Sequence, residues 1–401
     1  MGACGLVLTE LIFDFPRRAI FGPNTVSQAG KEADRVFGPS SPVLVVTDRT
    51  LSKLGLADRV RRILEDGGHH VEVFDAIEGE PTLPVAEAVT ELARKGGFKG
   101  VVGIGGGSAM DMAKMGAVAA TNPKPIKEYI AYLVDKVEVA PLSKILIPTT
   151  SGTGSEATSY AVIVEGNFKS FMTSPSIVAD SAILDPVLTS TCPPRQTAGS
   201  GLDALSHAVE AILSWKADPF SDTFAFRSVD LAVANLRKAY HHGSDLDARG
   251  AMSLASFFGG IAITTPASVE LGHCISETLG PRFHIGHGLA CGIALPYIMK
   301  FNIAAWPERV ASLARYFTEE PSADVNRRAH QAVEGVKQLL EDLDVSYTLE
   351  DYGMTKEATH EMATFIAKEQ QFNYDLPTLN PRVITVDNLT ALFEDMYAGR
   401  L

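Results

Sequence analysis

The chain has few of the features that would place it outside the cytoplasm. Its 401 residues include only four cysteines, Cys4, Cys192, Cys274 and Cys291, and their spacing forms no disulfide framework. No run of 18 apolar residues is present that could span a membrane. The first residues, MGACGLVLTELIF, lack the basic region of a secretory signal. We therefore expect a cytoplasmic protein that contacts no membrane.

Positive charge is also scarce. Lys and Arg number 35 against 48 Asp and Glu, which gives a net charge of −13. Such a balance disfavours nucleic acids and anionic membranes as partners, because both need a basic surface. The sequence shows no internal repeat and no low-complexity tract. A small-molecule ligand fits this composition better than a polyanion.

The pattern of apolar residues changes near residue 190. Before it, short apolar runs at 43–46, 71–74, 101–104, 145–147 and 161–164 alternate with helical segments, which is typical of a parallel sheet covered by helices. Three prolines, Pro186, Pro193 and Pro194, then interrupt the chain, and the remainder reads almost entirely as helix. We predict an α/β Rossmann-like nucleotide domain over 1–190 and an all-α domain over 191–401.

Two loops of the predicted sheet are suited to bind phosphate. The run 101–104 is followed by Gly105, Gly106, Gly107 and Ser108 and then by a helical pattern. Glycine lets phosphate approach the main chain, and a helix N-terminus favours an anion. The run 145–147 is likewise followed by glycines and hydroxyl side chains, namely Thr149, Thr150, Thr153 and Ser155. Two such loops indicate a long phosphate-bearing ligand, and a dinucleotide fits.

An acidic residue ends the first predicted strand. The run 43–46 ends at Thr47 and Asp48. An acid at this position of a nucleotide domain accepts hydrogen bonds from ribose hydroxyls and repels a 2′-phosphate, which favours NAD over NADP. The alternative is that Asp48 only caps a helix that starts near Thr50.

The predicted helical domain contains a group of metal-binding side chains. Asp203 and His207 are four residues apart in GLDALSHAVEA, so both lie on one face of a helix. His273, His284 and His287 follow within one short window. A carboxylate and three imidazoles complete the ligand set of a divalent transition metal, and Fe²⁺ and Zn²⁺ both suit it. The alternative is a capping aspartate among buried core histidines.

These motifs resemble those of the iron-containing (group III) alcohol dehydrogenases. The resemblance extends over almost the whole chain and includes FGPNTV, GGGSAMDMAK, PTTSGTGSEAT, ILDPVLTSTCPP, GLDALSHAVEA, FHIGHGLACGIALPYIMKFN and NPRVITVDNLTALFEDMY. It implies an N-terminal α/β nucleotide domain, a C-terminal helical domain, and a cleft that holds NAD(P) and one metal.

The resemblance also implies roles for individual residues. The metal ligands would be Asp203, His207, His273 and His287. The expected metal is Fe²⁺, and Zn²⁺ is the alternative. The cofactor residues would be Asp48, Gly105 to Ser108, Asp111, Thr149, Thr150, Thr153, Ser155 and Lys169. The expected reaction is NAD(H)-dependent interconversion of a small primary alcohol and its aldehyde, by a homodimer or higher homo-oligomer.

The sequence departs from the family pattern near His273. Glu277, four residues later, stands where relatives often have a relay histidine, and Glu270 replaces a small residue. We expect Glu277 to act either as a proton relay or as an acceptor for a ligand histidine. His284 is a second catalytic candidate, with packing or support of a ligand as its alternative.

Other reactions remain open on this scaffold. A maleylacetate-type reductase or a hydroxyacid–oxoacid transhydrogenase would need basic groups for a carboxylate, and Arg195 and Arg282 are candidates. A sugar-phosphate cyclase of the dehydroquinate synthase type is a more distant alternative. Its Glu-His-His metal set and its cluster of Lys and Arg are not evident here.

Overall fold

A computed structural model describes residues 12–131, 134–165 and 168–401 of the protein. The amino-terminal residues and Cys4, on which part of the localisation argument rests, lie outside this range. The chain forms two compact units. We call residues 15–197 and 238–260 the sheet unit, and residues 12–14, 198–237 and 261–401 the helical unit.

The sheet unit contains a six-stranded sheet in which every strand pair is parallel, with the strand order β1-β8-β5-β4-β2-β3. A separate antiparallel pair joins β6 to β7. The strands are β1 Ala19–Phe21, β2 Pro42–Asp48, β3 His70–Ile77, β4 Gly100–Gly105, β5 Ser143–Pro148, β6 Tyr160–Glu165, β7 Phe168–Thr173 and β8 Ser181–Leu184. The predicted α/β class of the amino-terminal half is confirmed.

The helices of the amino-terminal half alternate with these strands. They are α1 Ala29–Phe37, α2 Arg49–Lys53, α3 Leu56–Asp66, α4 Leu83–Lys95, α5 Gly107–Ala119 and α6 Pro186–Thr189. The rest of the described chain is helical, as predicted. Its helices are α7 Pro194–Leu213, α8 Pro219–His241, α9 Leu246–Thr264, α10 Leu271–Phe283, α11 His287–Ile303, α12 Pro307–Ser312, α13 Val325–Asp342, α14 Lys356–Phe365, α15 Gln371–Asn373, α16 Leu376–Leu379 and α17 Val386–Ala398.

The central strands β2, β4 and β5 are buried on both faces, which explains their uninterrupted apolar runs. Val43 and Val45 of β2 pack with α1 and α3, whereas Leu44 and Val46 pack with α4 and α5. Successive side chains of a strand point to opposite faces, so a sheet covered by helices on both sides needs an apolar residue at every position.

The apolar run 161–164 does not join the parallel sheet. It lies in β6, which pairs antiparallel with β7. A parallel return needs a crossover of a dozen or more residues, and β7 begins too soon after β6 for that. A short apolar run does not by itself reveal its partner strand. The short strands β1 and β8 were not predicted, and they form the end of the sheet beyond β5.

The two units do not divide the chain at a single point. The segment 238–260, which includes the end of α8 and most of α9, clusters with the sheet unit. A boundary near residue 190 marks the change of secondary structure. The compact units instead divide after residues 14, 197, 237 and 260. None of the described helices combines the length and the apolar character needed to cross a bilayer.

The strand order reverses beside β2. The chain passes from β2 to β3 on one side and then to β4 and β5 on the other. In open parallel sheets, ligands bind at such a reversal, outside the carboxyl ends of the strands. Strand β2 ends at Asp48. Strand β4 leads into the glycine loop, Gly105 to Ser108, and β5 leads into the hydroxyl-rich loop, Thr149 to Ser155. These are the segments predicted to bind the dinucleotide.

Candidate metal centre and nucleotide loops

Helix α7 presents three acidic and basic side chains on one buried face. Asp203, His207 and Glu210 are spaced i, i+4 and i+7, and all three are buried. Asp203 Oδ1 lies 3.8 Å from His207 Nε2. The spacing alone brings Asp203 and His207 together, as the sequence predicted. Glu210 was not predicted, although its position on the same face was a usable signal.

Glu210 holds the start of α10 in place. Its carboxylate accepts hydrogen bonds from the backbone N–H groups of Glu270 at 2.7 Å and His273 at 3.1 Å. These amides belong to the N-cap residue and the first turn of α10, where no helical acceptor is available to them. The same carboxylate lies 2.6 Å from His273 Nδ1, so it accepts the ring N–H. This contact fixes the tautomer of the neutral ring and leaves the lone pair of His273 Nε2 available to a metal ion.

Glycines allow these helices to approach one another closely. A Cβ at Gly272 would lie 2.7 Å from the Glu210 carboxylate. A Cβ at Gly288 would lie 2.2 Å from the backbone oxygen of Gly199 on α7 and 3.1 Å from Asp203 Cβ. Larger residues at these two positions would separate α10 and α11 from α7 and would pull the histidines away from Asp203.

Three imidazoles surround the carboxylate of Asp203. The Nε2 atoms of His287, His273 and His207 lie 3.5, 3.6 and 3.8 Å from Asp203 Oδ1. Cys291 lies one turn after His287 on α11, with Sγ 3.7 Å from the Nε2 atoms of both His273 and His287. The donor atoms of Asp203, His273, His287 and Cys291 all lie within 4.8 Å of one another.

The electrostatics of this cluster follow from burial and from its mixed charges. Burial favours the neutral form of Asp203, but His207, His287 and His273 outweigh it and hold the pKa of Asp203 well below its usual range. Burial opposes the charged form of His273, but Cys291 and Glu210 raise its pKa well above normal. Burial raises the pKa of Cys291 to about 11.

The residues of this cluster fit a divalent transition metal. Asp203 Oδ1 is buried and has no hydrogen-bond partner among the described residues, although a buried carboxylate oxygen normally has one. It points into a group of imidazole nitrogens that lie too far away for hydrogen bonds but close enough to share one cation. A bound cation would satisfy this oxygen.

The two predicted catalytic residues have different environments. Glu277 is buried on α10, one turn after His273. His284 is exposed and ends α10 in a left-handed conformation, with φ 54°. Glu270 precedes the first turn of α10 and is completely buried. Burial, and then the charge of Glu210, raise the pKa of Glu270 well above normal, which favours its neutral form.

In the sheet unit, the two predicted phosphate loops lie side by side. The Thr149 backbone N–H donates to the Gly105 backbone oxygen at 2.9 Å. A Cβ at Gly107 would lie 2.8 Å from Thr153 Cγ2, and one at Gly106 would lie 3.4 Å from Thr150 Oγ1. Ser108 follows in the first turn of α5. Gly105 has φ 153° and almost no room for a side chain, so glycine is required at this position.

Asp48 is at the predicted place and also caps a helix. Its Oδ1 accepts a hydrogen bond from the Leu51 backbone N–H at 2.9 Å at the start of α2. Its Oδ2 lies 3.4 Å from the position that a Cβ would take at Gly105, so the carboxylate adjoins the glycine loop. The capping alternative is therefore observed, and it leaves Oδ2 beside the loop.

Buried polar side chains next to the two loops form hydrogen bonds and ion pairs with one another. Ser155 Oγ donates to Asp111 Oδ1 at 2.6 Å, and the Val162 backbone N–H donates to Asp111 Oδ2 at 3.0 Å. Lys114 was not predicted. It is fully buried, and its Nζ lies 3.7 Å from Asp111 Oδ1. Lys169 Nζ pairs with Glu80 at 3.0 Å. Asp111 and Ser155 thus fix the shape of the hydroxyl-rich loop.

The fold is an α/β sheet unit and a helical unit, and the helical unit carries a cluster of side chains that could hold a metal ion. The family model of the iron-containing alcohol dehydrogenases matches residues 16–186, and the model of the carboxyl-terminal part of the same family matches residues 197–397. The chain belongs to the iron-containing alcohol dehydrogenase family. The resemblance inferred from the motifs is confirmed, and with it an oxidoreductase that interconverts alcohols and aldehydes.

The chain is similar to several named proteins. It is 34% identical to the long-chain-alcohol dehydrogenase 1 of Geobacillus thermodenitrificans over 96% of this chain and 97% of the relative. It is 33% identical to the sulfoacetaldehyde reductase of Bilophila wadsworthia over 94% of this chain and 97% of the relative. The solved structure of an alcohol dehydrogenase from Oenococcus oeni superposes with a TM-score of 0.90 at 28% identity, covering 97% of this chain and all of that one.

Proposed function

We propose that the protein is an NAD(H)-dependent, metal-dependent dehydrogenase that interconverts a small primary alcohol and its aldehyde. The observation that carries this proposal is the buried Asp203 Oδ1, which has no hydrogen-bond partner among the described residues and faces three imidazole nitrogens. Such a set of donors serves no purpose in packing, since buried polar groups without partners destabilise a fold.

Asp203, His207, His273 and His287 would hold the cation, with Fe²⁺ expected from the family. When bound, such a cation supplies Lewis acidity to the oxygen of the alcohol or aldehyde. The protein residues set up that chemistry. Asp203 stays ionised, and Glu210 orients His273 through Nδ1. Burial of the cluster lowers the local dielectric and strengthens each of these interactions.

The cofactor proposal rests on the sheet unit. NAD⁺ would accept the hydride in alcohol oxidation, and NADH would donate it in aldehyde reduction. Asp48 would accept hydrogen bonds from the adenosine ribose and disfavour a 2′-phosphate. Backbone N–H groups of the glycine loop and the start of α5 would bind the pyrophosphate. The complete proposed set is Asp48, Gly105, Gly106, Gly107, Ser108, Asp111, Thr149, Thr150, Thr153, Ser155 and Lys169.

Proton transfer needs a titratable group besides the cation. Glu277 is the stronger candidate because it is buried and lies one helical turn from His273. His284 remains a candidate from its place in the motif, and its exposed position suits exchange with solvent. We propose Glu277 as the proton relay, with His284 as a second catalytic candidate.

The substrate is the least constrained part of the proposal. The names of the two relatives above cover a long-chain alcohol and a sulfonated aldehyde. Substrates with carboxylates would require a free basic group. Arg282 pairs with Glu361 at 3.1 Å and stacks on Phe365, and Arg195 is exposed. The contacts of Arg282 favour an uncharged aldehyde over the oxoacid reactions.

The test is an NADH-oxidation screen over small aldehydes, longer aldehydes, sulfoacetaldehyde and oxoacids. Metal-free, Fe²⁺-loaded and Zn²⁺-loaded protein are compared, with NADH and NADPH in parallel. We expect turnover of small aldehydes with NADH and Fe²⁺, and none with Asp203→Asn. Full activity of the metal-free protein, or a preference for oxoacids, would overturn the proposal.

Gel filtration with light scattering tests the expected homodimer or higher homo-oligomer. The cytoplasmic location remains a prediction.

A further inference from the structure

The carboxyl end of β2 lies between two different segments. Strand β2 is flanked by β4 and β3, so it ends with the glycine loop on one side and the segment after β3 on the other. Asp48 Oδ2 lies 3.4 Å from the position of a Cβ at Gly105, and Asp48 is paired in register with Ile77, the last residue of β3. Under the proposed function, the pyrophosphate binds at the glycine loop. The adenosine ribose would then lie at Asp48, next to the segment that follows β3.

An ion pair joins the two residues that follow these strand ends. Arg49 comes directly after Asp48 and begins α2, and Glu78 comes directly after Ile77. Arg49 Nη1 lies 2.6 Å from Glu78 Oε1. The Arg49 and Glu78 side chains are 51% and 65% exposed, so a ligand at this end of the sheet can reach both of them.

Asp48 and Arg49 have opposite effects on a 2′-phosphate. In dinucleotide sites of parallel sheets, an acid binds the ribose 2′-hydroxyl of NAD, whereas a nearby arginine accommodates the 2′-phosphate of NADP. This chain has both groups in adjacent positions. A guanidinium that is hydrogen-bonded to a carboxylate has used part of its donor fork, and its charge is offset. The contact with Glu78 therefore weakens the attraction of Arg49 for a phosphate.

We propose that Glu78 is a positioning residue for cofactor choice, because it engages Arg49 and withholds it from the 2′-phosphate of NADP(H). The inference rests on the proposed cofactor site and adds a second determinant to it. Asp48 repels a 2′-phosphate directly, whereas Glu78 acts through Arg49. Exposed ion pairs contribute little free energy, so the effect of Glu78 is smaller than that of Asp48.

The test measures the dissociation constants of NADPH and NADH by fluorescence titration of the full-length protein, which requires neither substrate nor metal. Glu78→Gln should raise the affinity for NADPH relative to NADH at least about threefold, because the released guanidinium can bind the 2′-phosphate. The double variant Glu78→Gln/Arg49→Gln should lose this gain. Glu78→Asp, which keeps the charge, should change the ratio less. Glu65→Gln is the matched control, because it breaks the exposed pair of Glu65 with Arg61 at 2.8 Å on α3.

Salt concentration and turnover give two further readouts. Added salt should reduce the gain of Glu78→Gln, since ions screen an exposed contact between Arg49 and a phosphate. The NADPH-to-NADH ratio of kcat/KM should rise in the same variant. An unchanged affinity ratio in Glu78→Gln, or an equal gain in the double variant, would overturn the role of Glu78 and leave the cofactor site standing. A wild type that binds neither dinucleotide, or that prefers NADPH, would overturn the proposed cofactor as well.

Discussion

Glu210 and His273 form the shortest contact between side chains of the metal centre that we describe, with 2.6 Å between Oε1 and Nδ1. Glu210 also binds two backbone amides of α10. One carboxylate therefore fixes both the ring orientation and the position of the helix that carries it.

Loss of this support should weaken metal binding without removing a ligand. Glu210→Gln keeps the shape but no longer provides a charged acceptor for the His273 ring N–H. We expect metal affinity to fall about 10–100-fold, as measured by chelator competition. Glu334→Gln, an exposed change on α13, should leave affinity unchanged. Unaltered affinity in Glu210→Gln would show that packing alone positions His273.

Removal of a ligand should be more severe. His287→Ala or His207→Ala should lose the metal and abolish turnover, because the remaining donors lack both affinity and geometry. Metal content by elemental analysis and activity in the presence of excess Fe²⁺ are the measurements. His330→Ala, an exposed histidine on α13, is the control. A variant that retained its metal and its activity would show that the ligand was wrongly assigned.

Cofactor preference should depend on the charge of Asp48. Because Asp48 caps α2 through Leu51, Asp48→Asn removes the charge and keeps a capping side chain. We expect the NADPH-to-NADH ratio of kcat/KM to rise about tenfold or more, with little change in stability. Asp324→Asn, which alters the cap of α13 in the same way, should leave the ratio unchanged. A wild-type preference for NADPH would contradict the assignment directly.

Glu277 should affect proton transfer rather than binding. Glu277→Gln removes the titrating group, so alcohol oxidation should slow by about 100-fold with an altered pH profile, while metal and NAD bind normally. Steady-state rates across pH and a metal analysis check this. If turnover and its pH profile stay normal, the relay hypothesis fails. Metal loss would instead indicate that Glu277 supports a ligand.

A buried acid directly after the hydroxyl-rich loop should make stability depend on pH. Burial raises the pKa of Glu156 to about 7, and the charge of Lys114 only partly offsets this effect. The folded state therefore binds this proton more tightly than the unfolded chain, so its contribution is full below about pH 4.5 and is lost as pH rises toward 7. Well above pH 7 the buried carboxylate costs the fold about 3 kcal/mol.

Replacement of that acid should flatten the dependence. Glu156→Gln should stabilise the protein by about 2 kcal/mol at pH 8 and by much less at pH 5, as measured by urea unfolding at both pH values. The gain is limited because Lys114 loses a negative neighbour. Equal effects of the substitution at pH 5 and pH 8 would show that Glu156 is not neutral in the fold at low pH.

The local residue pattern of the sequence determined the features that depend only on residues close together in the chain. The i, i+4 spacing places Asp203 and His207 on one face of α7, and buried strands followed by glycine or hydroxyl loops predicted β4 and β5. Motifs along the chain were enough to identify the family.

Tertiary structure decided what depends on approach between distant segments. Cys291 reaches the His273 ring because α10 and α11 pack against each other, and Asp203 adjoins Gly288 because α7 and α11 come together, neither of which local periodicity encodes. Glu210 anchors a helix that begins 60 residues later in the chain. The pairing of β6 and the grouping of 238–260 with the sheet unit are likewise non-local. A sequence shows which face a side chain takes, but only packing selects the surface that this face contacts.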